Sequence, residues 1–83
     1  MSITDDEARA MVARAVRRIV PDAEVETLAS DADLRRTFEL DSLDFLSFVE
    51  LLVNDSGVRI DEDDYPELTT TAGCADLLVR RSA

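Results

Sequence analysis

Apolar residues recur along the first quarter of the chain at the spacing of a single helical face. Ala8, Met11, Val12, Ala15, Val16 and Ile19 fall at i, i+3, i+4, i+7, i+8 and i+11, the stripe that a 3.6-residue period turns toward a core. Thr4 and Glu7 stand ahead of it at capping-box spacing, with Asp5 and Asp6 in the first turn, where the helix dipole favours carboxylates. Arg14, Arg17 and Arg18 crowd the far end, where cations are favoured, and Pro21 closes it. The pattern predicts a helix over residues 4–20.

Residues 21–40 read as a long connection with turn-prone polar clusters at Asp22, Ser30, Asp31 and Asp33. A featureless loop of that length is unusual in a small domain, so Val25, Leu28, Leu34 and Phe38 are expected to pin it to the core, with one helical turn around Leu34. A second helix is predicted from Asp41 to about Asp55, ending near Ser56-Gly57. Stepping about 100° per residue puts Phe45, Phe48, Val49 and Leu52 on its core face and Ser47, Glu50 and Asn54 on the wet side. Asp44 falls at the boundary, Leu51 near the edge of the polar sector, and Leu43 inside it. Asp61 to Pro66 reads as a short acidic turn or helix ended by Tyr65-Pro66. Thr70 to Arg81 reads as a last helix, capped by Thr70 or Thr71, with Cys74, Leu77 and Leu78 turned inward. No segment alternates strongly enough to be a strand. The expected fold is all-α: a small four-helix bundle of three main helices and a short third one, with a long loop between the first and second.

Composition narrows the function. A chain of 83 residues makes one domain, residues 1–83, burying roughly 60% of its unfolded surface, which leaves little for an elaborate catalytic cavity. There are 19 acidic residues against 9 basic ones, all arginine, for a net charge of −10. Residues 1–38 hold 8 acids and 6 arginines (net −2), residues 39–67 hold 10 acids and only Arg59 (net −9), and residues 68–83 hold Asp76 against Arg80 and Arg81 (net +1). The middle third is thus where a basic partner would be steered, and a nucleic-acid backbone has the wrong sign. The absence of histidine removes Ser-His-Asp and Cys-His catalysis, histidine-ligated zinc and histidine pH switching. The absence of lysine removes the other common base for a serine nucleophile. The single cysteine, Cys74, forms no internal disulfide and is expected to be core filler in a reducing compartment. No apolar run approaches the ~20 residues of a membrane span, and Asp5, Asp6 and Glu7 do not suit a signal peptide. The expectation is a soluble, monomeric, cytoplasmic domain that performs no chemistry alone.

The distinctive segment is Asp41-Ser42-Leu43-Asp44: an exposed leucine among carboxylates, one residue after a serine at a helix start. Ser42 or Asp41 can serve simply as the N-cap, and one surface leucine needs no explanation. The string nevertheless resembles the Asp-Ser-Leu modification motif of acyl carrier proteins, and the similarity extends over roughly residues 3–80. Gly57-Val58-Arg59-Ile60 is similar to the turn after that family's second helix, Asp61 to Leu68 to its acidic third helix, and Leu68-Thr69-Thr70-Thr71 to the start of its fourth. Leu34 and Phe38 stand where the family places apolar residues in the first loop. The resemblance implies that Ser42 carries 4′-phosphopantetheine, donated from coenzyme A, whose thiol holds acyl groups as thioesters and shuttles them between enzymes. It implies docking through Asp41, Leu43, Asp44 and Glu50 to a phosphopantetheinyl transferase, an acyl-loading ligase or acyltransferase, and a ketosynthase or condensation-type enzyme.

The chain also departs from the family. Glu39-Leu40 stands where many relatives have a glycine, Ser47, Val53 and Asn54 make the second helix less acidic than in the fatty-acid type, and Ser56 replaces an aromatic before the glycine turn. These features weaken an assignment to primary fatty acid synthesis and leave room for a carrier in fatty acid-like, polyketide, lipopeptide or other specialised biosynthesis. Phe38-Glu39-Leu40-Asp41 leans toward acyl over aminoacyl cargo, leaving a peptidyl carrier of nonribosomal peptide synthesis as one alternative. An unmodified acidic interaction module with the carrier fold is another. Asp61, Glu62, Asp63 and Asp64 lack the ligand alternation, central glycine and terminal glutamate of an EF-hand loop and read as a solvated acidic turn rather than a metal site.

Overall fold

Helix α1 (Asp5–Ile19) begins at the capping box its sequence announces. The Glu7 amide donates to the Thr4 hydroxyl at 3.1 Å and the Thr4 amide to the Glu7 carboxylate at 2.9 Å. It stops one residue before the cap Val20, which is extended because a residue ahead of proline is pushed out of the helical region. The computed structural model describes residues 2–82. Within it α1 is the centre of the bundle, packing against both of the other long helices. Its buried face is correspondingly wider than one stripe: Ala13 is buried beside Ala8, Val12, Ala15 and Val16.

The long connection carries two small ordered pieces. One is a 3-10 turn, Val25–Thr27, which the sequence did not announce; the other is the one-turn helix α2 (Leu34–Thr37), capped by Asp33 accepting from the Arg36 amide at 3.0 Å. Val25, Leu34 and Leu40 are buried, and Leu28 and Phe38 pack against the core. Helix α3 (Ser42–Ser56) follows and ends at Gly57, whose φ of 71° provides the left-handed cap that glycine adopts without strain. Phe45, Phe48, Val49 and Leu52 are its buried residues, the face expected from the wheel.

The third element is a 3-10 segment, Glu62–Thr69, longer than the acidic turn expected to end at Pro66. The fixed φ of proline suits 3-10 geometry and removes only one donor, and the Thr69 hydroxyl donates to the Pro66 carbonyl at 3.2 Å. Helix α4 (Thr71–Ser82) starts immediately after it. Thr70 is the capping residue, its hydroxyl accepting from the Gly73 amide at 3.0 Å; the Thr71 hydroxyl is buried with no partner among the described residues. Gly73 is required by close approach: a β-carbon there would lie 2.0 Å from the Glu67 carbonyl oxygen. Cys74, Leu77 and Leu78 have no exposed surface. The described residues contain no strand, and the fold is a small all-α bundle. No helix among them is long and apolar enough to cross a membrane.

Phe48 is the largest side chain with no exposed surface. Phe48→Ala is expected to cost about 3–5 kcal/mol, read as a lower midpoint in urea unfolding. A near-neutral result would mean that Phe48 is not part of the core.

Candidate functional site

The site is built where α2 ends and α3 begins. The Phe38 amide donates to the Leu34 carbonyl at 3.1 Å and the Leu40 amide to the Arg35 carbonyl at 2.9 Å, the wide return bond that closes a helix through a left-handed residue. That residue is Glu39, at φ 54°, the one non-glycine with positive φ among the described residues. The absence of glycine before the serine therefore does not mean the absence of the turn. Glu39 adopts it at a cost of about 1–2 kcal/mol.

Two residues later the chain enters α3, and the open question of which residue caps it has an answer. Asp41 is extended, and its carboxylate accepts from the Asp44 amide at 2.8 Å, while the Asp44 carboxylate accepts, at a longer 3.4 Å, from the Asp41 amide. Asp41 is the cap. Ser42 is the first helical residue, exposed, and its hydroxyl makes no hydrogen bond among the described residues. The result is an uncommitted hydroxyl at the positive end of a 15-residue helix.

Leu43 is 74% exposed, as its place in the polar sector predicted, and Leu46 is 44% exposed. The exposure of Leu46 was missed, although the wheel carries the signal: it lies about 110° from the core direction, on the side opposite Asp44. Beside these residues is a cleft of about 360 Å³ that Arg35, Ser42, Phe45, Leu46, Tyr65, Pro66 and Thr69 line. Tyr65 meets Phe45 edge-on with ring centroids 5.5 Å apart, and the Arg35 guanidinium carbon lies 5.0 Å from the Phe45 centroid. The contributions of Arg35, Tyr65 and Pro66 come from other segments, so no local sequence pattern announces the cleft.

The four expected docking residues differ in what else they do. Asp41 and Asp44 are engaged in the cap, and Asp44 is half-buried. Glu50 and Leu43 are exposed, and the Glu50 side chain has no hydrogen bond or ion pair among the described residues. Asp44, Ser47, Glu50 and Asn54 line an open groove of about 510 Å³ together with Arg18 and Ile19 of α1. A cation thus adjoins the acidic face, a placement that reading α3 alone did not reveal. A further cavity of about 460 Å³ flanks the ion pair between Arg14 and Asp55, 3.0 Å, away from Ser42.

The acidic run opens the 3-10 segment, and Asp64 is its structural member. Asp64 is buried and accepts from both terminal nitrogens of Arg81 at 2.7 Å and from the Asp61 amide at 2.9 Å. The Arg81 guanidinium, helped by the Asp61 amide, holds its carboxyl below the ordinary value of 3.8. Asp61 itself pairs with Arg59 at 3.1 Å. Among the described residues no three potential metal ligands come together. Burial pushes the Cys74 thiol up to about 12, so it is a core side chain rather than a nucleophile.

No family model, curated protein or solved structure matches the chain.

Relieving the left-handed strain should stabilise the turn before the serine. Glu39→Gly is expected to raise stability by up to about 1 kcal/mol, the strain removed less the backbone entropy of glycine. Thermal unfolding would show it, and a loss of stability would contradict the left-handed geometry. The Asp64–Arg81 pair gives a pH dependence of definite sign. Because the folded-state value is depressed, its contribution is fully present well above pH 3.8 and is lost as the pH falls through the folded value. Asp64→Asn is expected to lower the urea midpoint at neutral pH and to converge on the unmodified protein in acid. A deficit that is equally large in acid would rule out the charge as its cause.

Proposed function

We propose that the chain is a carrier protein of the acyl carrier type and that Ser42 is the attachment point for 4′-phosphopantetheine. The observation that carries this reading is the division of labour at the start of α3. Asp41 does the capping, which leaves the Ser42 hydroxyl exposed and unengaged beside an apolar cleft. The residues present suit the group. The first amides of α3 and the helix dipole favour the negative charge of a phosphodiester, and Phe45, Leu46, Tyr65 and Pro66 offer apolar surface to an arm attached there.

In this reading Ser42 is a substrate and an anchor. Its oxygen displaces the nucleotide leaving group of coenzyme A at phosphorus, and a transferase supplies the base, since this chain has no histidine and no lysine. Once attached, the arm provides a terminal thiol on which acyl groups travel as thioesters. The protein is accordingly a shuttle and not an enzyme. Leu43 and Glu50, with Asp44 and Asp41 at the cap, form the face offered to basic patches on the phosphopantetheinyl transferase, the loading ligase or acyltransferase, and the ketosynthase or condensation enzyme. Charges placed this way set encounter rate and weaken with salt, which suits brief visits to successive partners in the cytoplasm. Phe38-Glu39-Leu40-Asp41 favours acyl cargo, and Glu39-Leu40 before the motif together with a sparsely acidic α3 favours a specialised pathway over primary fatty acid synthesis.

Intact mass after incubation with coenzyme A, Mg²⁺ and a broad-specificity phosphopantetheinyl transferase tests the reading. The expected result is a gain of one phosphopantetheine by the unmodified sequence and none by Ser42→Ala. Glu50→Arg, which disturbs no structural contact, is expected to slow the reaction at low salt and to matter less at high salt. Failure with that transferase and with transferases encoded alongside the chain would leave an acidic docking module that is never modified.

A further inference from the structure

All the chain's basic side chains are arginines, 9 in number. Arg9, Arg14, Arg17, Arg59, Arg80 and Arg81 each have a carboxylate within ion-pair distance. Among the described residues Arg18, Arg35 and Arg36 have none. With 19 carboxylates in the chain, scarcity of partners does not explain an unpaired arginine. Of these three, Arg35 is the one that lines the cleft beside Ser42.

Its placement is well determined. Leu34, the preceding residue, is buried and anchors α2, and the Arg35 carbonyl is held by the Leu40 amide at 2.9 Å. The guanidinium carbon lies 5.0 Å from the Phe45 ring centroid, a cation–π contact that steadies the group without using its donors. Nε makes one long contact of 3.5 Å to the Leu40 carbonyl. Nη1 and Nη2 make no hydrogen bond among the described residues, so the half of the fork suited to a phosphate is free. A cation here also weakens the pull of the acidic face on a basic partner. Its position is better matched to an anion carried by the chain itself.

Resting on the reading of Ser42 above, we propose that Arg35 is the phosphate-pairing residue of the attachment site. Its guanidinium, held over Phe45, binds the phosphodiester on the Ser42 oxygen and holds the first part of the arm against the cleft. It is a positioning residue: it takes no part in bond making, and its contribution is to order an otherwise mobile arm. Lysine would retain the charge but lose the planar fork and the stacking on Phe45, and so would replace it only in part.

The test uses holo-protein made with the transferase, comparing the unmodified sequence with Arg35→Gln and Arg35→Lys. Phosphorus NMR of the phosphodiester reports the pairing directly, and the difference in thermal midpoint between holo and apo forms reports its energetic effect. In the unmodified sequence the phosphorus resonance is expected to be broadened and shifted from that of a free phosphodiester, with the holo form melting above the apo form. Arg35→Gln is expected to return the resonance to the free position and to remove most of the holo-over-apo gain, and Arg35→Lys to recover part of both. Apo Arg35→Gln is expected to melt close to the apo unmodified sequence, which separates loss of pairing from loss of fold. If Ser42 is modified and neither readout responds to Arg35→Gln, the role of Arg35 is overturned and the carrier reading survives. If the unmodified sequence accepts no phosphopantetheine from that transferase or from those encoded alongside the chain, both are overturned.

Discussion

The hydrogen bond from the Asp44 amide to the Asp41 carboxylate, 2.8 Å long, decides what the neighbouring serine is free to do. A helix start must satisfy amides that have no carbonyl behind them. Had Ser42 taken that role, its oxygen would be turned toward the backbone and occupied. With the cap one residue earlier, the hydroxyl is left over. Just ahead of the cap, Glu39 takes the left-handed turn that closes α2. A strained residue and a carboxylate together determine the chemistry available to a third residue whose hydroxyl neither of them hydrogen-bonds.

The cleft beside that serine has a different origin. One side is α3, laid on α1 by Phe48, Val49 and Leu52. The other is the 3-10 segment, tied to α4 by the Asp64–Arg81 pair and by the close approach of Glu67 to Gly73. The segment is thereby held by α4, and its Tyr65 packs edge-to-face with Phe45 of α3. Two apolar surfaces from separate parts of the chain thus meet next to an exposed hydroxyl.

Much of this was legible in the chain because the signals are local. The α1 capping box, the glycine at the end of α3 and the core face of Phe45, Phe48, Val49 and Leu52 each depend on residues within a few positions of one another. The features that were not legible depend on distance or on backbone detail. Nothing in the sequence near Glu39 shows that a glutamate holds the left-handed position, since the usual glycine signal is absent. The 3-10 segment runs past Pro66 because that geometry tolerates the ring, which a rule framed for α-helices misses. Arg18 and Arg35 acquire their settings only when α1 and α2 are packed beside α3.

The 3-10 segment also gives the cleft unequal walls. Bonds from i to i+3 have poorer geometry than those of an α-helix, and this segment is tied to both ends of α4, by the Asp64–Arg81 and Glu67–Arg80 pairs at one end and the Glu67–Gly73 approach at the other. The α3 wall, by contrast, rests along its length on buried side chains. The cleft thus has one wall that carries the serine on an α-helix resting on α1 and another that carries Tyr65 and Pro66 on a 3-10 segment held from α4.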